Sequence, residues 1–217
     1  MDANFWHEKW MRGEIAFHQS EANPFLTDHF GKLNLAPGSR VFVPLCGKTR
    51  DAAWLLAHGY GVVGAELSEF AVGELFTELG VEPAIAKVGK LVCYSAKDID
   101  ILVGDIFDMT ADNLGPINAI YDRAALVALP VRMREQYTSH LKTITDTAPQ
   151  LLISYEYDQR SIDGPPFSVN ADEVRQHYGV AYQVTLLENK NVAGGIKRKV
   201  PSTETVWLLN KPVKGVN

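Results

Sequence analysis

Cysteine is scarce in this 217-residue chain, which has two, Cys46 and Cys93. Two thiols without a Cys-x-x-Cys spacing supply neither a disulfide framework nor a four-ligand zinc site, and they suit a reducing compartment. Long apolar runs are missing too. The longest, Ala124 to Pro130, falls far short of the ~18 residues that a membrane-spanning helix needs. The polar, acidic start Met1-Asp2-Ala3-Asn4 leads into no apolar stretch of signal-peptide length, so a cytoplasmic protein is expected. An excess of positive charge is also absent. With 21 Lys+Arg against 26 Asp+Glu the net charge is -5, which gives no footprint for nucleic acid or an anionic membrane. The basic stretch Ile196-Lys197-Arg198-Lys199-Val200 is short and reads as a solvated loop. There is no internal repeat or low-complexity tract. At 46% hydrophobic and 22% charged residues the chain has enough apolar material to fold, and its length fits one domain over 1–217.

What is present is an alternation of strand-like and helix-like segments. Arg40 to Leu45 reads as a buried strand after the Pro37-Gly38 turn, followed by a helix from Asp51 to His58 that stops at Gly59. A second strand, Gly61 to Glu66, precedes a helix capped by Ser68 and ended by Gly80. Leu91 to Ser95 and Ile99 to Val103 read as a hairpin feeding a third core strand, which ends at Gly104-Asp105. Ile117 to Asp122 is a fourth strand. Pro130 then opens a helix with Met133, Tyr137, Leu141 and Ile144 on one face. Leu151 to Tyr155 is a fifth strand, Asn170 caps a short helix ending at Gly179, and Tyr182–Leu187 with Thr203–Leu209 form an antiparallel pair. This order predicts an α/β fold with a mostly parallel sheet, whose ligand sits outside the carboxyl ends of the strands. The first 35 residues stand outside the alternation.

The loop after the first strand, Val43-Pro44-Leu45-Cys46-Gly47-Lys48-Thr49, separates three kinds of ligand site. Gly47-Lys48-Thr49 between strand and helix suggests a phosphate loop, with Asp122 as a magnesium-side carboxylate. The position five residues before Gly47 is Phe42, however, and Pro44 has no N–H to offer a phosphate. A dinucleotide fingerprint needs three glycines, and Gly47 stands alone. A nucleoside without a pyrophosphate needs only one tight turn and an acidic ribose clamp. Glu66, at the end of the second strand and 19 residues beyond Gly47, is placed for that role, with capping of the next helix as the lesser alternative. Asp105 and Ile106, ending the third strand, pair a polar with an aliphatic group, as an adenine ring requires. S-adenosylmethionine is a ligand of this phosphate-free type.

The blocks Trp6-His7-Glu8-Lys9-Trp10, Ala16-Phe17-His18-Gln19, Val43-Pro44-Leu45-Cys46-Gly47-Lys48, Val62-Val63-Gly64-Ala65-Glu66-Leu67-Ser68 and Tyr121-Asp122-Arg123-Ala124-Ala125-Leu126-Val127-Ala128-Leu129 resemble the thiopurine S-methyltransferase family. Gly164-Pro165-Pro166-Phe167-Ser168-Val169 resembles its shorter bacterial members. The resemblance runs from Trp6 to Leu209. It implies a class I, Rossmann-like methyltransferase fold with a seven-stranded sheet, helices on both faces, a C-terminal antiparallel pair and an N-terminal helical lid over residues 1–35. It implies S-adenosyl-L-methionine as cofactor and S-adenosyl-L-homocysteine as product. It further implies that Trp10 and Phe17 fold over the cofactor, Leu45 lines the first loop, Glu66 holds the ribose, and Asp105 with Ile106 borders the adenine. Arg123 would stand near the methionyl group and the acceptor, as the catalytic cation. A docked amphipathic helix is the plainer reading of Trp6, Trp10 and Phe17; a salt bridge to Asp122 or another carboxylate is that of Arg123.

The acceptor implied is a small aromatic thiol, taken by a monomer with no nucleic-acid or membrane partner. A rival acceptor class is a halide, hydrosulfide, or selenium or tellurium compound; a non-catalytic nucleoside-binding module is a third reading. Several positions stay open. The family has a second arginine before the last strand, where end-alignment puts Gly194, and Lys197 or Arg198 would serve if the loop is shifted. Glu156 and Asp158 either line the acceptor rim or are solvated. Phe167 either stacks on a planar acceptor or packs within its loop. His7, His18 and His29 recur at 11-residue steps, but Gly13 and Pro24 argue against the single helix that would align them as metal ligands.

Overall fold

The computed structural model describes residues 3–15 and 18–212. The chain divides into two compact units, Met1–Tyr121 and Asp122–Asn217. The first unit opens with helices α1 (Ala3–Met11) and α2 (Pro24–His29), so the segment expected as a lid is helical but broken between them. Asn23 starts α2 by accepting the Phe25 N–H at 2.9 Å, and Pro24 costs nothing at a position where its missing N–H would have no partner.

The alternation then appears as read: β1 (Arg40–Val43), α3 (Arg50–Ala57), β2 (Gly61–Glu66) and α4 (Glu69–Leu79). α4 shows why the sequence was readable here. The Ser68 side chain accepts the Ala71 N–H, Gly80 ends the helix at a left-handed φ of 70°, and Ala71, Val72, Leu75 and Phe76 form its buried face. Burying each large apolar side chain contributes roughly 1.5–3 kcal/mol. Next come β3 (Ala84–Val88), β4 (Leu91–Ala96), β5 (Ile99–Val103), a short α5 (Ala111–Leu114) and β6 (Ala119–Arg123). β6 carries the chain from the first unit into the second.

Within the first unit the strand order is β3-β4-β5-β2-β1-β6. β1 pairs in parallel with β2 and with β6, and β2 pairs in parallel with β5. Strands β3, β4 and β5 make an antiparallel meander. The central strands are nearly continuous runs of buried residues, Val41–Val43 and Val62–Glu66, as a parallel sheet covered on both faces requires.

The second unit holds α6 (Val131–Ile144), β7 (Gln150–Tyr157), α7 (Ala171–Tyr178), β8 (Gln183–Asn191) and β9 (Ser202–Asn210). β9 lies between β7 and β8, antiparallel to both. The parallel core and the C-terminal antiparallel pair are thus as expected, with nine strands among the described residues instead of seven. One helix face differs from expectation. In α6 the buried side chain of the first turn is Arg134, not Met133. The guanidinium earns that place by binding Glu173 of α7 through Nε (2.6 Å) and Nη2 (3.1 Å) and the Leu129 carbonyl through Nη1 (3.0 Å). A fully bonded bidentate cation is tolerated in a core where a bare charge is not.

Candidate functional site

In the first unit, four of the predicted residues lie at or just beyond the carboxyl ends of adjacent parallel strands. Val43 of β1 is level with Gly64 of β2, and Glu66 of β2 is level with Val103 of β5. Leu45, Glu66 and the Asp105-Ile106 pair therefore share one edge of the sheet. The loop after β1 is tightly constrained. Leu45 has a positive φ of 47°, a left-handed backbone that costs a non-glycine residue about 1–2 kcal/mol, and Gly47 follows at φ 52°. Cys46 ties the turn to β2 by donating its N–H to the Ala65 carbonyl at 2.9 Å. Its thiol is buried against Gly64. Burial, and then the charge of Glu66, pushes that thiol well above its ordinary pKa, so Cys46 is a packing residue and not a nucleophile.

Trp10 of α1 is buried and lies on this turn. A Cβ at Gly47 would stand 2.7 Å from Trp10 Cζ2, so only glycine lets the indole approach the backbone. Trp10 thus packs on the first loop; Phe17 lies outside the described residues. Another anchor escaped the sequence reading. Asp51, at the start of α3 and 1% exposed, accepts the Asn23 N–H at 2.7 Å and the Tyr121 hydroxyl at 3.0 Å. The N-terminal segment is therefore fastened at Asn23 as well as at Trp10.

Glu66 is buried, and its two oxygens accept the backbone N–H groups of Gly47 and Ser68, each at 2.8 Å. Burial raises its pKa, while those N–H groups work against the rise. The helix-capping role and the ribose-binding role thus meet in one carboxylate. A carboxylate offers about four lone-pair sites, so Glu66 keeps acceptor capacity beyond its bonds to Gly47 and Ser68. Asp105 is exposed and caps the following turn through the Phe107 N–H at 3.0 Å. Ile106, beside it, is buried.

In the second unit Arg123 ends β6, half-buried, and Ala124 after it adopts a left-handed φ of 64°. Asp122 is fully buried, with one oxygen accepting the Leu126 N–H (3.1 Å) and the other the Tyr137 hydroxyl (2.8 Å). Those bonds fold the turn after β6 and make Asp122 a structural carboxylate, unlike the magnesium-side group of a phosphate loop. Two residues near Arg123 were missed from sequence. Tyr155 of β7 and Glu204 of β9 are directly paired across the strands, and the Arg123 charge acts on both. Burial raises both of their pKa values. No sequence signal identifies the pair, because it depends on the register of β7 with β9.

The open positions resolve unevenly. Glu156 and Asp158 are exposed, and Asp158 is occupied by Arg160 at 2.9 Å. The ring of Phe167 packs on Gly164, so it is a loop aromatic in this structure. Gly194 forms a left-handed turn at φ 76°, Lys197 donates to the Asp163 carbonyl at 3.1 Å, and Arg198 is exposed.

The family profile for thiopurine S-methyltransferase matches residues 1–211. A thiopurine S-methyltransferase from Xanthobacter autotrophicus is 53% identical over 212 residues, covering 97% of this chain and all of the relative. One from Teredinibacter turnerae is also 53% identical, over 98% of this chain and 99% of its own. Among solved structures, the 1,6-didemethyltoxoflavin-N1-methyltransferase of Burkholderia thailandensis, with 1,6-didemethyltoxoflavin and S-adenosylhomocysteine bound, superposes with a TM-score of 0.65. It is 13% identical, over 96% of this chain and 87% of that one. The magnesium protoporphyrin IX methyltransferase of Synechocystis PCC 6803, with S-adenosylhomocysteine bound, gives a TM-score of 0.62 at 14% identity, over 97% and 100%. These two likenesses speak for the fold, a class I methyltransferase sheet. The near-complete profile match and the relatives at half identity go further: this chain belongs to the thiopurine S-methyltransferase family.

Proposed function

We propose that the chain transfers a methyl group from S-adenosyl-L-methionine to the sulfur of heteroaromatic thiols such as thiopurines, with S-adenosyl-L-homocysteine as product. The observation that carries this is the family match over residues 1–211. The Glu66 carboxylate supports it, since it keeps acceptor capacity at the end of β2 after binding Gly47 and Ser68. The bound cofactor supplies a methyl on a sulfonium, open to in-line displacement. Glu66 holds its ribose hydroxyls, Asp105 and Ile106 border its adenine, and Leu45 and the Gly47 turn line the first loop. Trp10 and Phe17, on the segment 1–35, cover it and exclude water. Trp10 packed against Gly47 supports the covering role.

Arg123 serves the acceptor. Methyl transfer needs a sulfur with high electron density, held near the methyl carbon in a dry site. A heteroaromatic thiol is already acidic, so a fixed guanidinium that favours its anion suffices. Relatives at half identity, named for thiopurines, favour ring thiols over halide, hydrosulfide or chalcogen acceptors. A cytoplasmic, monomeric, single-domain enzyme (lid 1–35, core 36–217) completes the reading. Two free cysteines support that compartment.

Two measurements test it. Calorimetry should show S-adenosylhomocysteine binding far more tightly than ATP; the reverse order would remove the cofactor assignment. In a labelled methyl-transfer assay with a thiopurine, Arg123→Ala should lose about 10²-fold or more in turnover, with cofactor affinity and melting temperature retained. Unchanged turnover would remove Arg123 from the chemistry.

A further inference from the structure

The acceptor side of the second unit carries a group that the reaction so far leaves unused. Glu204 faces Tyr155 across the β7–β9 pairing, at the level where β7 reaches its carboxyl end. Its Oε1 is buried and meets no hydrogen-bond donor among the described residues. Tyr155 and the positive charge of Arg123 are the groups that act on this carboxyl group, and both favour its charged form, against burial, which raises its pKa. A buried carboxylate oxygen left unbonded costs about 1–3 kcal/mol or more, so a donor brought by a ligand would be bound strongly there.

Thiopurines and related ring thiones present such a donor. Their neutral form carries C=S and a ring N–H, and the sulfur gains its full nucleophilicity only as that proton leaves. Over the whole transfer the acceptor sulfur gains a methyl, the ring nitrogen loses a proton, and the sulfonium is discharged to a thioether. A neutral thione and a cationic donor thus give two neutral products and one proton. Arg123 offsets the charge that builds on sulfur, but a guanidinium cannot take a proton.

We propose that Glu204, oriented by Tyr155, accepts the ring N–H of the acceptor and takes its proton, which directs the enzyme to N–H-bearing heteroaromatic thiones. This rests on the acceptor reading of Arg123 given above. The N–H electron pair moves into the ring C=N bond as the C=S pair moves onto sulfur, so Glu204 and Arg123 work on opposite ends of one conjugated unit. Glu204 then acts as a general base matched to a weak N–H acid, a role whose usual worth is about 10²–10⁴-fold.

The test compares 6-mercaptopurine with thiophenol, which has no ring N–H and is ionised in mildly alkaline buffer. For Glu204→Gln we expect kcat/KM on 6-mercaptopurine to fall about 10²-fold and that on thiophenol to change less than about threefold. The absorption spectrum of 6-mercaptopurine bound with S-adenosylhomocysteine should show the thiolate in the wild type and the thione in the variant. Equal losses on both acceptors, or no loss on either, would overturn the assignment, as would a thione spectrum in both proteins. S-adenosylhomocysteine affinity and the melting curve report folding. If the glutamine variant does not fold, Glu204→Asp should show a smaller loss, confined to 6-mercaptopurine. A wild type that binds S-adenosylhomocysteine but methylates neither acceptor defeats the acceptor reading itself, and this proposal falls with it.

Discussion

Single residues in this protein hold two duties at once, and Glu66 is the clearest case. Its carboxylate fixes the Gly47 turn and the start of α4 through two backbone N–H groups, and in the proposed function it also takes the ribose. Glu66→Gln keeps the shape but turns an NH₂ toward one of those N–H groups. That leaves a buried donor facing a donor, at a cost of about 1–3 kcal/mol. We expect a lower melting temperature together with weaker S-adenosylhomocysteine binding; loss of affinity with no change in melting would assign Glu66 to the ligand alone. Gly47 carries a similar double load. An alanine there must hold φ near 52° and push the Trp10 indole from a 2.7 Å contact. The left-handed strain alone is worth about 1–2 kcal/mol, so Gly47→Ala should weaken S-adenosylhomocysteine binding about tenfold or more by calorimetry. An affinity within twofold of wild type would mean that the indole position is irrelevant to the ligand.

Among the elements, the N-terminal segment depends on a helix start that is not its own. Asp51 at the beginning of α3 binds the Asn23 N–H and the Tyr121 hydroxyl, and Asn23 in turn caps α2. Asp51→Ala strands both buried donors, for a destabilisation of about 2–4 kcal/mol. Hydrogen exchange should show the loss concentrated at Asn23 and α2, and Asp51→Asn, which keeps one acceptor oxygen, should be milder. Uniform loss of protection across β1 and β2 would contradict a local anchoring role. This anchor also marks the limit of what could be read from sequence. α4 was legible because Ser68, Gly80 and the apolar spacing act within a dozen residues. β3 was not, because Ala84–Lys87 is an exposed edge strand without alternation. Asp51 looked like an ordinary first-turn acid, and its partners Asn23 and Tyr121 are distant in the chain. The same holds for Arg134, which took a buried place from Met133 only because Glu173 lies on another helix. Among site residues, Trp10, Leu45, Glu66 and Arg123 sit in short motifs with local geometry. Tyr155 and Glu204 form a pair only through strand register.

At the scale of the whole molecule, one buried carboxyl group contributes a pH dependence of stability opposite to the usual carboxylate behaviour. Asp122 is fully buried, and burial raises its pKa from an ordinary 3.8 to about 6 despite its bonds to Leu126 and Tyr137. Between those two values the folded state holds a proton that the unfolded chain has released. Stability therefore falls as pH rises through that window, and the full cost is present above about pH 6. Burial raises Glu66 and Glu204 in the same direction. Glu78 and Glu173, lowered by their bonds to Lys48 and to His177 and Arg134, work the other way and lose stability as pH falls. The sum over the chain is thus a contest, and a substitution isolates one term. Asp122→Asn removes the ionisation while any cost of the new amide stays constant with pH. Two pKa units correspond to about 3 kcal/mol at most, and a chain of this size shifts by about 2–4 °C per kcal/mol. Melting temperatures of the variant and the wild type, compared at pH 4.5 and pH 7, should differ by several degrees more in the variant's favour at the higher pH. Parallel curves would mean that Asp122 ionises in the folded protein as easily as in the unfolded chain. A gap that moves in the wild type's favour as pH rises would mean that the neighbouring Arg123 cation, not burial, governs this carboxyl group.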